Sequence, residues 1–391
     1  MLFDPAAHER LTDRPWDPAW ARATIAAVAA DAEASFDPDA LWRAHPRDEE
    51  EGPLEAVTSL YLGASGVIWA LDELARLGHV GLRRDWGAVA TGLHERYLTR
   101  PDFLEDVDGP VPSLWMGEAG ILLVAHRLAP ARWQEERLLA CVRANASNPA
   151  RELMWGSPGT MLAAEAMHSR TGDEVWAQAW HASADVLWDA WEDGAWRQEL
   201  YGRSVRFLGP AHGFAGNVAA LASGRLLGDE RRAELATRAA ATVLGSAQRA
   251  GDLAQWPAVL DAPDRTSDEV RTQWCHGAPG IVASLAAIAP LDVLLAGGEL
   301  TWRAGPIAKG PGLCHGTAGN GLAFLALFGR TGGELWLARA RAFAMHAAEQ
   351  VERERERHGR GRHTLWTGDL GTAVYLARCL GGDDYRLPGA R

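Results

Sequence analysis

Apolar positions along this chain gather into seven dense stretches, each opened by a pair of glycines spaced G-x-x-G. The strings are YLGASGVIWAL from Tyr61, LWMGEAGILLVA from Leu114, LMWGSPGTMLAA from Leu153, PAHGFAGNVAAL from Pro210, WCHGAPGIVASL from Trp274, LCHGTAGNGLAF from Leu313 and LWTGDLGTAVYL from Leu365. Their first glycines, Gly63, Gly117, Gly156, Gly213, Gly277, Gly316 and Gly368, are separated by 54, 39, 57, 64, 39 and 52 residues. Each interval has room for two helices and their connections. Self-similarity of this kind marks a repeat architecture.

The stretch after each glycine pair is apolar on nearly every side, as a buried helix must be, whereas Glu230 to Gln248 and Leu335 to Glu352 mix Arg and Glu with Ala and read as amphipathic. An inner and an outer helix therefore alternate. With little strand patterning, the expected fold is all-α: a closed α/α toroid, a double seven-helix barrel of about fourteen helices. The glycine pairs allow tight turns and close backbone approach, so all seven turns are expected at one end of the barrel. No Pro/Gly/Ser linker interrupts the pattern, so residues 1–391 read as a single domain, with seven repeats over 55–385 and residues 1–50 as an extension or cap.

Composition adds boundaries. Of the 391 residues, 47% are hydrophobic and 23% charged, the balance of a soluble globular protein with a large core. A formal charge of -12 disfavours nucleic acid and anionic membranes as partners. There is no signal peptide and no transmembrane segment to be read, and four cysteines are too few for a disulfide scaffold, so a reducing cytoplasm is expected. The run Glu352 to Arg362 alternates in sign and reads as a solvated helix end rather than a peptide-docking strip. Of the 18 tryptophans, Trp115, Trp155, Trp274 and Trp366 stand just before repeat glycines, where packing between neighbouring repeats is expected.

The repeats stop being equivalent at the residues just before the first glycine. The fifth has Cys275-His276 there, the sixth Cys314-His315, and the fourth His212 without a cysteine. Corresponding turns of one ring converge, so these side chains should meet. Cys275, Cys314 and His315 are donors suited to Zn(II), and three protein ligands with an open fourth position are the pattern of a catalytic site. Adding His276 as a fourth ligand would instead make a closed structural site.

At these strings the chain resembles the lanthionine synthetase C family, the zinc-dependent cyclases of lanthipeptide biosynthesis and their stand-alone relatives. The resemblance runs through all seven repeats and implies the α/α toroid, one Zn2+ on Cys275, Cys314 and His315, and Michaelis-type addition of a thiol to dehydroalanine or dehydrobutyrine. A thiol is nucleophilic as thiolate, its free pKa is about 8.5, and metal coordination deprotonates it. Through the same resemblance His212 matches the acid-base histidine, Arg271 a cyclase arginine able to stabilise an enolate, and Lys309 a lysine of the stand-alone relatives; His276 completes the candidate catalytic set. One departure is plain: the aspartate that peptide cyclases carry before the second G-x-x-G is missing, Ser113 stands at about that place, and Asp106 and Asp108 lie further upstream.

The expected function is thioether ring formation on a dehydrated peptide, with a separate dehydratase as supplier. The alternative is glutathione addition to dehydroamino-acid-containing proteins. A non-catalytic zinc or peptide-binding regulator is the reading from another class.

Overall fold

The computed structural model describes residues 2–49, 55–103, 109–261 and 270–381. Among them are fourteen α-helices. Seven follow the glycine pairs: α2 (Ala64–Arg76), α4 (Glu118–Leu128), α6 (Ser157–Thr171), α8 (Phe214–Ala222), α10 (Ala278–Leu285), α12 (Thr317–Thr331) and α14 (Asp369–Gly381). Each of these packs against the next, and α14 returns to α2, closing an inner ring. The others form the outer layer: α1 (Pro18–Ala34), α3 (Trp86–Thr99), α5 (Arg132–Asn145), α7 (Glu174–Asp189), α9 (Asp229–Ser246), α11 (Leu291–Ala304) and α13 (Glu334–His358). The fold is an α/α toroid. Its strands are short antiparallel hairpins between repeats, such as Gln248–Ala250 with Leu253–Gln255.

The second glycine of each pair explains the ring. A Cβ at Gly66, Gly120, Gly159, Gly216, Gly280, Gly319 or Gly371 would overlap the carbonyl oxygen of the residue six positions earlier in its own turn. The same Cβ would press on an apolar side chain of the preceding repeat: Leu60 for Gly120, Leu114 for Gly159, Trp274 for Gly319 and, across the closure, Leu365 for Gly66. Backbone hydrogen bonds join the turns as well. Tyr61 N–H donates to Trp115 at 2.9 Å, Leu313 N–H to Trp366 at 2.8 Å, and Trp366 N–H to Tyr61 at 3.4 Å.

The tryptophans pack between repeats, but between alternate rather than neighbouring ones: Trp366 of the seventh meets Trp115 of the second and Trp274 of the fifth. Trp115, Trp274 and Trp366 are fully buried, and the Trp366 ring lies 5.3 Å from Trp115 and 4.7 Å from Trp274 between centroids.

The amino-terminal residues have no glycine pair, yet they complete the outer layer. Asp17 caps α1 by accepting from the N–H groups of Ala19 and Trp20, Pro18 occupies its first turn, and the helix packs against α14 and α13. The flanking residues fasten onto the alternating charge run. Glu9 meets Arg353, Asp31 meets Arg355, Arg47 meets Glu354, and Asp48 meets Arg362. The run is therefore not merely a solvated helix end: its Arg353, Glu354, Arg355 and Arg362 are matched by the chain's own first 48 residues. Beyond α1 the segment reaches the turn end of the barrel, where Arg47 donates to the Lys309 carbonyl and Thr367 to Asp48.

Glu118, at the first position of α4, is a buried carboxylate inside this scaffold, and it accepts from His94 at 2.7 Å and Arg137 at 2.7 Å. Burial alone would raise its pKa, but these two partners outweigh burial and hold it down at about 2. Because the folded value lies below the ordinary 4.5, its stabilisation is present above that pH and fades as pH falls toward 2. Glu118→Gln is expected to lower unfolding free energy by about 2 kcal/mol near neutrality. Denaturation at neutral pH and near pH 3 tests this: the difference between the two proteins should shrink in acid, and an equal difference at both would contradict it.

Candidate metal centre

The two Cys-His turns are held together by their backbones. Cys275 N–H donates to the Cys314 carbonyl at 3.0 Å, and Cys314 N–H donates to the Trp366 carbonyl at 2.8 Å. The fifth turn differs locally from its equivalents. Gly277 has φ 106°, and the first N–H of α10 is capped by the Gln255 side chain at 2.7 Å. In repeats one, two, four, six and seven that N–H donates to a carbonyl seven residues back, as Glu118 does to Val111.

In this arrangement the ligand atoms of Cys275, Cys314 and His315 lie within 4.8 Å of one another. Both cysteines are buried free thiols, and His315 is partly exposed. A tetrahedral zinc ion takes Cys sulfur at about 2.3 Å and His nitrogen at about 2.0–2.1 Å. Two sulfurs and an imidazole converging this closely fit that ion. His276 is not in the group. Its buried ring stands 6.1 Å from His212 and 6.0 Å from Phe207, and its Nδ1 has no partner among the described residues.

The sulfurs are electrostatically unequal. Cys314 is driven toward thiolate: the Cys275 thiol hydrogen-bonds it, burial opposes, and His315 and Tyr61 add further stabilisation. Cys275 is pushed the other way by the hydrogen bond to Cys314 and by burial, against the pull of Gln273 and Arg271. The Gln273 side-chain amide donates to Cys275 Sγ at 3.0 Å. Tyr61 occupies in the first repeat the position that Cys275 and Cys314 occupy in theirs, two before the first glycine, and its hydroxyl hydrogen-bonds Cys314.

His212 stands beside this cluster, its ring 6.0 Å from Tyr201 and 6.1 Å from Phe207. Its Nδ1 lies 3.1 Å from the Glu152 carboxylate. Glu152 is fully buried and also accepts from Met154 N–H at 2.8 Å and Trp155 N–H at 2.6 Å, so it cannot swing away. Burial would lower the His212 pKa, but the Glu152 hydrogen bond and charge, with Cys314 behind them, carry it upward. His276 lacks such a carboxylate; burial, His212 and Arg271 lower it to about 3. Two histidines of equivalent turns are thus set apart, one readily protonated and one neutral.

Arg271 is exposed four residues before Cys275, close enough for its charge to act on Cys275 and His276. Lys309 is exposed as well, and its carbonyl anchors Arg47. Ser113 is buried in its own turn, its hydroxyl without a partner among the described residues. Asp106 and Asp108 lie outside the described residues. The carboxylate that meets His212 comes instead from the third repeat. Sequence reasoning missed Glu152, Tyr61 and Gln273; of these, Tyr61 could have been found by aligning the turns.

The family model for lanthionine synthetase C-like proteins matches residues 51–390. The chain belongs to that family. It is 35% identical over 202 residues to glutathione S-transferase LANCL1 of Danio rerio, covering 47% of this chain and 44% of the relative. It is 37% identical over 82 residues to LanC-like protein GCL1 of Arabidopsis thaliana, 19% of each. The matched part thus spans less than half of the curated relatives. Among solved structures, an unsaturated glucuronyl hydrolase from Bacillus sp. GL1 aligns over 93% of this chain and 96% of its own, at 12% identity and a TM-score of 0.47. No helix among the described residues is long and apolar enough to cross a membrane.

The His212 assignment has a direct check. Glu152→Gln should lower the midpoint of the His212 titration followed by NMR, with the signal assigned through His212→Asn. An unmoved midpoint would show that Glu152 does not control the imidazole.

Proposed function

We propose that the protein catalyses zinc-dependent addition of a thiol to a dehydroalanine or dehydrobutyrine residue, with glutathione as the preferred thiol. The observation that carries this reading is the convergence of Cys275, Cys314 and His315 within 4.8 Å, beside a histidine paired with a buried carboxylate. The name of the Danio rerio relative favours glutathione over a cysteine of the substrate peptide. Ring closure within a dehydrated peptide is the second reading, favoured by membership of the family.

Cys275, Cys314 and His315 would hold the ion. When bound, zinc supplies the Lewis acidity that keeps an incoming thiol deprotonated at neutral pH. The Gln273 amide on Cys275 and the Tyr61 hydroxyl on Cys314 disperse charge from the two protein sulfurs, which are otherwise buried in apolar surroundings.

In the addition itself, the thiolate forms a C–S bond at the β-carbon, the Cα=Cβ π pair moves into an enolate, and Cα then takes a proton. His212 is the donor in this reading. Glu152 holds Nδ1, which leaves Nε2 as the nitrogen that delivers the proton. The raised pKa keeps His212 in the acid form at neutral pH, and the proton released by the thiol restores it. Arg271 is placed to favour negative charge near the cluster. The alkene must come from a separate dehydration.

The reading is tested with zinc-loaded protein and a peptide carrying one dehydroalanine and no cysteine, followed by mass spectrometry with and without glutathione. A glutathione adduct is expected, Cys314→Ala should abolish it, and His212→Asn should slow it about 10²-fold while bound zinc is retained. A peptide with an internal cysteine that closes without glutathione would favour the cyclase reading. No turnover of either peptide would contradict both.

A further inference from the structure

Two short hairpins lead from α7 to α8, and the second ends beside His212. In it Gln198–Leu200 pairs with Arg203–Val205, leaving Tyr201-Gly202 as a two-residue turn. Such a turn needs φ > 0 at both central residues, which favours Asn-Gly or Asp-Gly. The first hairpin follows that rule: its turn is Asp193-Gly194, at φ 45° and 92°. The second does not. Gly202 takes φ 68°, but Tyr201 takes φ 51°, where a bulky side chain is disfavoured. Strain of this kind persists at functional sites, where the surrounding structure holds the residue in place.

The surroundings do hold Tyr201. Trp155 Nε1 donates to its hydroxyl at 3.0 Å, and the rings of Tyr201 and His212 meet edge to face with centroids 6.0 Å apart. At the base of the hairpin Gln198 is fully buried; its Nε2 donates to the Arg151 carbonyl at 3.3 Å, and its Oε1 accepts from Phe207 N–H at 2.8 Å. Glu199 N–H donates to the Pro149 carbonyl at 3.0 Å. The hairpin is thus fastened to the backbone just before Glu152 and to the turn that carries His212. Tyr201 keeps its place relative to both.

With those contacts made, Tyr201 is still 58% exposed, and the His212 side chain is 23% exposed. A ring with more than half its surface in water gains little from burial. What the arrangement provides is an aromatic surface presented to solvent beside an accessible imidazole.

If the addition reaction proposed above holds, geometry selects the part of the substrate that meets this surface. The dehydroalanine Cα must reach His212 Nε2 to take its proton, and the next Cα along a peptide is about 3.8 Å away. A ring centred 6.0 Å from the imidazole therefore faces the residue next to the alkene. We infer that Tyr201 is a specificity-determining residue for the acceptor peptide, selecting an apolar side chain directly beside the dehydroalanine. Phe207, half-buried and 6.1 Å from the same imidazole, extends the apolar surface. The negative faces of a phenol ring disfavour a carboxylate at this place, and His212 in its acid form disfavours a cation.

The test compares two dehydroalanine peptides without cysteine, one with leucine and one with glycine on both sides of the alkene, with glutathione as the thiol. Zinc-loaded protein should use the leucine peptide with a kcat/KM about tenfold higher, the difference lying in KM. Tyr201→Asn, which suits the left-handed turn, should bring that ratio to about one, while kcat and the glutathione KM change less than about twofold. Tyr201→Phe keeps the ring and should keep the ratio. Each ratio is taken within one variant, so a loss of folded protein does not move it. A ratio near one in the unaltered protein, a ratio that survives Tyr201→Asn, or an effect confined to the glutathione KM would overturn the assignment and leave the addition reaction standing. No adduct from either peptide with unaltered protein would remove that reaction, and this inference with it.

Discussion

Seven backbone turns crowd into one ring, and the limit on how close they can come governs the rest of the molecule. At the second glycine of each pair, a hydrogen atom stands where any side chain would strike the carbonyl six residues earlier and the apolar residue of the preceding repeat. The contact is cyclic, running from Leu60 against Gly120 round to Leu365 against Gly66. Chemistry inherits this geometry. Cys275 and Cys314 belong to successive repeats, and the hydrogen bond from one backbone to the other brings their side chains to one place.

Burying two thiols beside an imidazole works against metal binding in one respect, because burial disfavours the thiolates that a metal requires. The protein lowers that cost with neutral or cationic donors rather than with carboxylates: Gln273 on one sulfur, Tyr61 on the other, and Arg271 at a distance. Carboxylate charge is confined to the neighbouring histidine, where Glu152 draws a proton onto His212. Thiolate character on the sixth turn and acid character on the fourth are thereby kept apart. The proposed proton transfer to carbon after attack by sulfur would draw on that separation.

The ring and the donor set were legible because both recur at fixed offsets from a glycine. Fourteen helices, their alternation in two layers and the meeting of Cys275, Cys314 and His315 follow from that one register. Glu152 was not legible. It stands four residues before Gly156, where no other repeat offers a matching carboxylate, and its partner lies 60 residues on. The missing aspartate of the second repeat pointed to a loss, whereas a carboxylate beside His212 comes from the third. Helix α1 carries no glycine pair, so the repeat signal passes over it, although Asp17-Pro18 is a readable start. The run from Glu352 to Arg362 looked solvated because its counter-charges are more than 300 residues away in the chain.

The central claim concerns the three donors, and X-ray absorption at the zinc edge addresses it most directly. Protein loaded with one equivalent of zinc should show two sulfurs at about 2.3 Å and one imidazole at about 2.0 Å, with the remaining position filled from outside the chain. His276→Ala should leave that spectrum unchanged, and His315→Ala should remove the imidazole. A shell with two imidazoles, lost in part on His276→Ala, would make the site a closed structural one and contradict the account.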